Sequence, residues 1–302
     1  MDEAPGSIFV PPLPTDVRVN PIRDRADWQR MREACLADPG QFHGEIAART
    51  IHWHHPDLGA WLTREGDRWR GWRVADLAPV ELADWTPWNR SFDDSEAPFY
   101  RWFAGGRTNA AFNEVDRHVL AGFGSETAYW YEGDRWDAAA DGGRGAPVRH
   151  QALSRRELLI QSVTAALALR SLGLTQGDRI ALNMPNILEQ IVWIEAAKRL
   201  GVIYTPVFGG FSDKTLSDRI ENSGARVVIT ADGASRNAEM APFKEAYTDP
   251  ALDRFLAVGA AIDIVSKIAA AGCPPALAAA LDEGLHAALA EEITVSPADV
   301  MR

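Results

Sequence analysis

The residues best placed to meet a ligand lie in two turn segments of the second half of the chain. Phe208-Gly209-Gly210-Phe211 sits between a strand end and a helix that opens at Ser212. Two glycines let a ligand approach the backbone closely, and the free amides of a helix start favour an anion. A tight strand-to-helix turn that binds nothing is the simpler account on local grounds. Thr230-Ala231-Asp232-Gly233 follows the next strand, and Arg236 lies just beyond. Ligands in open α/β sheets collect at the carboxyl ends of strands. A planar guanidinium there can grip a phosphate with two parallel hydrogen bonds, although a surface arginine with no ligand is the commoner case.

Three further clusters carry less. His52-Trp53-His54-His55 invites a metal reading, since His52 and His54 share one face of a strand. Two imidazoles without a third ligand make a poor site, and no metal is expected. Gly122-Phe123-Gly124 precedes a strand, whereas a dinucleotide fingerprint must follow one, which argues against a dinucleotide oxidoreductase. Asp116-Arg117-His118 has the residue types of acid–base chemistry, but no nucleophile lies nearby, and Asp116 and Arg117 can pair with each other. No catalytic residue is assigned.

The elements that must position these residues read most clearly from Thr127 onward. TAYWYEG (127–133) and APVRHQAL (146–153) are expected as two strands joined by an Asp/Gly-rich loop. Ser154-Arg155-Arg156-Glu157 matches a capping box, opening a helix that ends near Gly173. RIALNM (179–184) predicts a strand, ILEQIVWIEAAKRL (187–200) a helix ended by Gly201, VIYTPV (202–207) a strand, a helix from Ser212 to near Gly224, and RVVIT (226–230) a strand. Strands alternating with helices imply right-handed crossovers and a mostly parallel sheet flanked by helices, an α/β fold.

The first 126 residues have another character. Pro5, Pro11, Pro12, Pro14 and Pro21 suit an extended arm. DRADWQRMREACLA (24–37) predicts an amphipathic helix stopped by Pro39-Gly40, and residues 50 to 90 read as short strands or irregular structure. After Pro250, ALDRFLAVGAAIDIVSKIAAAG and PPALAAALDEGLHAALAEE read as two Ala-rich helices. Three regions follow: an N-terminal extension (1–97) with an inserted segment (52–80), a first α/β subdomain (98–250), and a truncated, helical C-terminal insertion (251–302).

Composition bounds the partners. The net charge of -11 disfavours nucleic acid and anionic membrane surfaces, and no stretch approaches the ~20 apolar residues of a membrane span. Cys35 and Cys273 are far apart and alone, so neither a disulfide framework nor a thiolate knuckle is expected. With no cationic start leading into an apolar run, a soluble, cytoplasmic location is the expectation. An apolar content of 46% can fill a core.

Several long segments, in order and at compatible spacing, resemble AMP-forming short-chain acyl-CoA synthetases of the acetyl- and propionyl-CoA synthetase type. YRWFAGGRTNAAFNEVDRH (100–118) is similar to the segment with which those proteins enter their main domain. GDRIALNMPNILEQIVWIEAAKRLGVIYTPVFGGFSDKTLSDRIENSGARVVITADG (177–233) is similar almost element by element, and ADWTPWNRSF (83–92) resembles their lead-in. The departures at 52–80 and after 250 resemble the ligase portion of propionyl-CoA synthases, in which a ligase precedes an enoyl-CoA hydratase and an NADPH-dependent enoyl-CoA reductase.

The resemblance implies an acid-thiol ligase that uses ATP, Mg and CoA. Its reaction passes through an acyl-adenylate, from which the CoA thiol displaces AMP. The substrate implied is a short carboxylate, 3-hydroxypropionate or propionate. The partners implied are the rest of the ligase and fused hydratase and reductase domains, with NADPH only for the reductase. The family's Ser/Thr/Gly-rich phosphate loop ending near a Lys does not occur in these 302 residues, and Lys198, Lys214, Lys244 and Lys267 sit in no matching context. The expectation is an inactive N-terminal fragment that supplies one wall of the CoA site. By the resemblance, Phe208, Gly209 and Gly210 pack near the CoA adenine and Arg236 approaches its 3′-phosphate. Family members often carry a second Arg three residues on; here that position is Glu239, whose charge would repel phosphate. The Asp116-Arg117-His118 motif is implied to be structural. A rival reading makes the Trp-rich 28–136 segment a non-catalytic docking module for neighbouring domains, or simply the filling of a small core.

Overall fold

A computed structural model describes residue 22 and residues 24–208, 213–231, 233–236, 239–242 and 257–259. The extended arm expected at 1–20 and most of the Ala-rich stretch after 250 lie outside the described residues.

The chain enters through two helices joined at Asp38. Helix α1 (Arg25–Ala37) is capped by Asp24, whose carboxylate accepts from the Asp27 amide at 2.8 Å. Pro39-Gly40 does stop it, but the same residues open α2 (Pro39–Thr50), with Asp38 accepting from the Gln41 amide. This second helix is not among the elements expected from the sequence. Proline at the first helical position lacks only an amide that would have gone unbonded anyway, so it starts a helix as readily as it ends one.

Residues 53–82 form a four-stranded antiparallel sheet, β1 (Trp53–His55), β2 (Ala60–Glu65), β3 (Arg68–Arg73) and β4 (Pro79–Leu82), in chain order. One core joins this sheet to α2 through Ala47, Ala48, Trp53, Ala60, Leu62 and Trp69. A second cluster, Trp61, Val74 and Phe112, ties the sheet to the segment that follows it. A ribbon of β5 (Arg90–Asp93) and β6 (Arg101–Ala104) then leads into two widened helical turns, Phe112–Asp116 and Val119–Phe123.

β7 (Thr127–Glu132) pairs antiparallel with β10 (His150–Ser154), while the strand expected over 146–153 is broken, its first two residues pairing separately. Between them run the short pair β8 (Trp136–Asp137) and β9 (Ala146–Pro147) and a distorted turn, α3 (Ala140–Gly143). The capping box forms in full: Ser154 and Glu157 each satisfy the other's backbone amide at the start of α4 (Arg155–Ser171).

The α/β core follows the predicted order: β11 (Arg179–Met184), α5 (Leu188–Leu200), β12 (Ile203–Phe208), α6 (Asp213–Ser223) and β13 (Val227–Thr230). These strands are parallel, in the order β12-β11-β13, with β16 (Ala257–Gly259) added parallel to the outer edge of β13. Alternate residues serve opposite faces. Ile180, Leu182, Met184, Val227 and Ile229 pack under α4 and α5, with Trp193 only 1% exposed. Ala181, Val207 and Val228 meet Leu216 and Ile220 of α6 on the other face. Gly201 ends α5 in the left-handed region (φ 68), which favours glycine.

β16 corrects the helical expectation for the stretch after 250 at its three residues. A β13 left bare would expose a row of unpaired edge groups, and pairing with Ala257–Gly259 outweighs the helix propensity of the surrounding alanines. Among the described residues, no helix is long and apolar enough to cross a membrane.

Candidate functional site

The parallel register places the strand ends in one row. Met184 pairs with Phe208, Asn183 with Thr230, and Thr230 with Gly259. Phe208 is therefore the last residue of its strand at the carboxyl edge of the sheet, where open α/β folds take their ligands. Gly209 and Gly210 lie outside the described residues, and α6 resumes at Asp213. After β13 the chain forms a hairpin, β14 (Gly233–Arg236) with β15 (Glu239–Pro242). Arg236 is the last residue of β14, and Glu239 is its register partner across the turn. The pair that stands three residues apart in sequence is thus a cross-strand register pair at the tip of the hairpin. The backbone carries both Phe208 and Arg236 on the segments that leave the carboxyl edge.

At the opposite, amino end of the sheet, a charged clamp fastens the last turns of α5. Val192, Glu195 and Arg199 fall on the buried stripe of that helix. Arg199 makes two parallel hydrogen bonds of 2.8 Å to Asp116 and a third, of 3.3 Å, to Ser162 Oγ of α4. The Asp116 and Arg199 side chains are 4% and 3% exposed. Asp116 therefore pairs with Arg199 and not with its neighbour Arg117. The Arg117 guanidinium donates to the Thr50 carbonyl at the end of α2, where a helix leaves carbonyls without partners. Asn109 does the same for α5, donating to the carbonyls of Lys198 and Arg199.

Lys198 bridges Glu114 at 2.6 Å and Glu195 at 2.9 Å. Burial alone would lower the pKa of its ammonium, but the two carboxylates outweigh burial and raise it. Burial pushes Glu195 up, against the pull of Lys198. Segment 109–118 is thereby fastened to the crossover helix between β11 and β12, which supports a structural role for Asp116. Sequence reasoning missed Glu195, Lys198 and Arg199. The available signal was two charged residues, Glu195 and Arg199, spaced along an otherwise apolar stripe.

His52 and His54 do not assemble a metal site. His52 stacks on Trp72 (5.5 Å, 19°) and meets the edge of Phe112, while its backbone is held by Asn113 and Thr108. Burial, then the charges of Arg117 and His118, lower its pKa to about 3. His54 packs on Trp61 and His55 on Trp85. Among the described residues no three His, Cys, Asp or Glu side chains are grouped to hold a metal ion. Trp53, Trp61 and Trp69 fill the small N-terminal cores, whereas Trp28, Trp102, Trp130 and Trp136 are exposed.

Comparison with known proteins gives this edge a context. The family described as AMP-binding enzyme matches residues 134–292, and the acetyl-coenzyme A synthetase N-terminus family matches residues 77–113. The chain is 42% identical over 169 residues to an acetyl-coenzyme A synthetase of Mycolicibacterium smegmatis, covering 56% of this chain and 17% of the relative. It is 41% identical over 186 residues to that of Thiobacillus denitrificans, covering 61% and 26%. For the Mycobacterium bovis protein the figures are 42% over 196 residues, 64% and 28%. The matched part thus spans between 17% and 28% of the length of these relatives.

Proposed function

The chain belongs to the AMP-binding enzyme family, and from that premise we propose that it is the N-terminal portion of an ATP-dependent, AMP-forming acyl-CoA ligase. In this reading the carboxyl edge of the sheet forms one wall of the CoA site. The observation that carries it is the row of strand ends at Met184, Phe208, Thr230 and Gly259, with Arg236 on the hairpin that follows. Phe208 offers an aromatic surface to an adenine and Arg236 a guanidinium to a phosphate, with Gly209 and Gly210 allowing close backbone approach. The carboxylate of Glu239, where a second arginine would add a cation, repels phosphate, so the CoA grip is weaker than a second arginine would give.

ATP and Mg serve the complete ligase and are held by residues outside this portion. The substrate in this reading is a short carboxylate, 3-hydroxypropionate or propionate, and the ligase is fused to enoyl-CoA hydratase and NADPH-dependent reductase domains. Segments 52–80 and 251–302 are the insertions that distinguish it from a plain acetyl-CoA synthetase, and its location is cytoplasmic. The test is AMP release by the complete polypeptide with ATP, Mg, CoA and each of 3-hydroxypropionate, propionate and acetate. Release dependent on both acid and CoA, with acetate the poorest of the three, is expected. Preference for acetate would remove the 3-hydroxypropionate assignment, and no acid-dependent release would remove the ligase.

A second reading, compatible with the first in a longer protein, treats the β5–β6 ribbon as a docking face. Phe99, Tyr100 and Trp102 are 78%, 54% and 43% exposed there, and aromatic anchors of this kind dominate protein interfaces. Phe99→Ser with Trp102→Ser should then loosen association with a neighbouring domain while leaving the KM for CoA unchanged.

A further inference from the structure

Outside the carboxyl edge, one nucleophile sits against a base. Cys35 lies in the last turn of α1 and His43 in α2, and the tight Asp38 junction folds one helix back so that Cys35 Sγ and His43 Nε2 are 3.4 Å apart. Both faces of the arrangement are defined. The His43 ring is held edge-on by Phe42 and by Trp102, at 5.2 and 5.0 Å with an interplanar angle of 86° for each. Cys35 is a free thiol and only half-buried, beside Leu36, which is 64% exposed. It belongs to none of the hydrophobic clusters that form the cores, so it is not the inert buried kind of cysteine.

We propose that Cys35 is a modification site for small soluble disulfides, with His43 as the group that takes its proton. A nucleophile within hydrogen-bond reach of a base, with the base held by a third group, is the arrangement that activates thiols. The proton leaves Sγ for Nε2, and the resulting thiolate is stabilised by the imidazolium beside it. The thiolate attacks one sulfur of the disulfide. A new sulfur–sulfur bond forms to Cys35 as the old one breaks, and the leaving thiolate carries the electron pair away and takes up a proton. The polar partner that the thiol meets is Nε2 of the imidazole, which takes the proton in the tautomer that leaves this nitrogen without one.

The experiment uses the full 302-residue chain carrying Cys273→Ser, which leaves Cys35 as the single thiol. Alkylation by iodoacetamide is followed at neutral pH, and mixed-disulfide formation with glutathione disulfide is read by intact mass. A base positioned against the thiol should raise both rates about tenfold over an unstructured cysteine peptide. His43→Gln should return them to the peptide values. Because that variant also alters the packing between the helices, the rate of adduct formation of the parent protein with glutathione disulfide counts independently, and a rate above that of the peptide is expected. A parent rate equal to the peptide's, or a rate unmoved by His43→Gln, would overturn the proposal.

Discussion

The imidazole of His52 lies flat against Trp72 and is 6% exposed, and its folded pKa is held near 3 against an ordinary 6.5. The folded form therefore stays neutral where the unfolded form takes a proton. Stability from this residue is fully present above pH 6.5 and falls as pH drops from there toward 3, at about 1.4 kcal/mol per pH unit. Urea titrations across that window should show the loss, and His52→Phe should flatten it; an unchanged slope would mean His52 is not neutral when folded. Asp178 acts in a lower window. The Arg226 hydrogen bond, then the Thr175 amide, lower its pKa from 3.8 to about 2, so its contribution is present above 3.8 and lost only as pH falls toward 2. The same scale decides Asp116. Removing one partner of a buried ion pair leaves the other charge stranded, so Asp116→Ala should cost about 3–5 kcal/mol. The apolar double replacement Asp116→Leu with Arg199→Met should recover most of it, and equal losses in the two variants would contradict the clamp. Histidines and acids were legible here as candidates but not as core residues. Their partners, Trp72 for His52 and Arg199 for Asp116, are distant in sequence, and spacing along one segment does not reveal them.

Among the elements, the α/β core was legible because its signals are local. A capping box, a left-handed glycine at 201 and runs such as Arg179–Met184 each report on a few consecutive residues. Helix α2 and strand β16 were not, for opposite reasons. Pro39 serves both a helix end and a helix start, and Ala257–Gly259 becomes a strand only by finding β13. The small sheet at 53–82 was legible only as short strands, because its pairing rests on side chains and glycines that suit close contact. Gly71 is the sharpest case. A Cβ there would stand 1.8 Å from the Trp61 carbonyl oxygen, a backbone atom that cannot move without parting β2 from β3. Gly71→Ala should thus destabilise by several kcal/mol, among the larger single-site effects, and should expose Trp61 and Trp69 to fluorescence quenchers. A variant with parent stability and shielded tryptophans would refute this packing.

At the scale of the molecule, each layer supports the next. The Asp116–Arg199 clamp fixes α5, α5 connects β11 to β12, and the register of those strands fixes where Phe208 ends. The proposed role of Phe208, Gly209, Gly210 and Arg236 in holding CoA rests on the resemblance, since a turn with two glycines and one arginine beyond a strand end do not by themselves specify a nucleotide. The matched relatives are several times longer than the part they share with this chain, so in this account the chemistry of ATP belongs to the complete ligase and the CoA wall to this portion of it. The measurement that bears most directly on this account is the set of Michaelis constants of the complete enzyme with Arg236→Ala. Losing a charge-assisted phosphate contact should raise the KM for CoA by roughly tenfold, the equivalent of about 1.4 kcal/mol, and leave those for ATP and the acid within about twofold. Equal changes in all three constants, or none in that for CoA, would contradict the assignment of this edge to CoA.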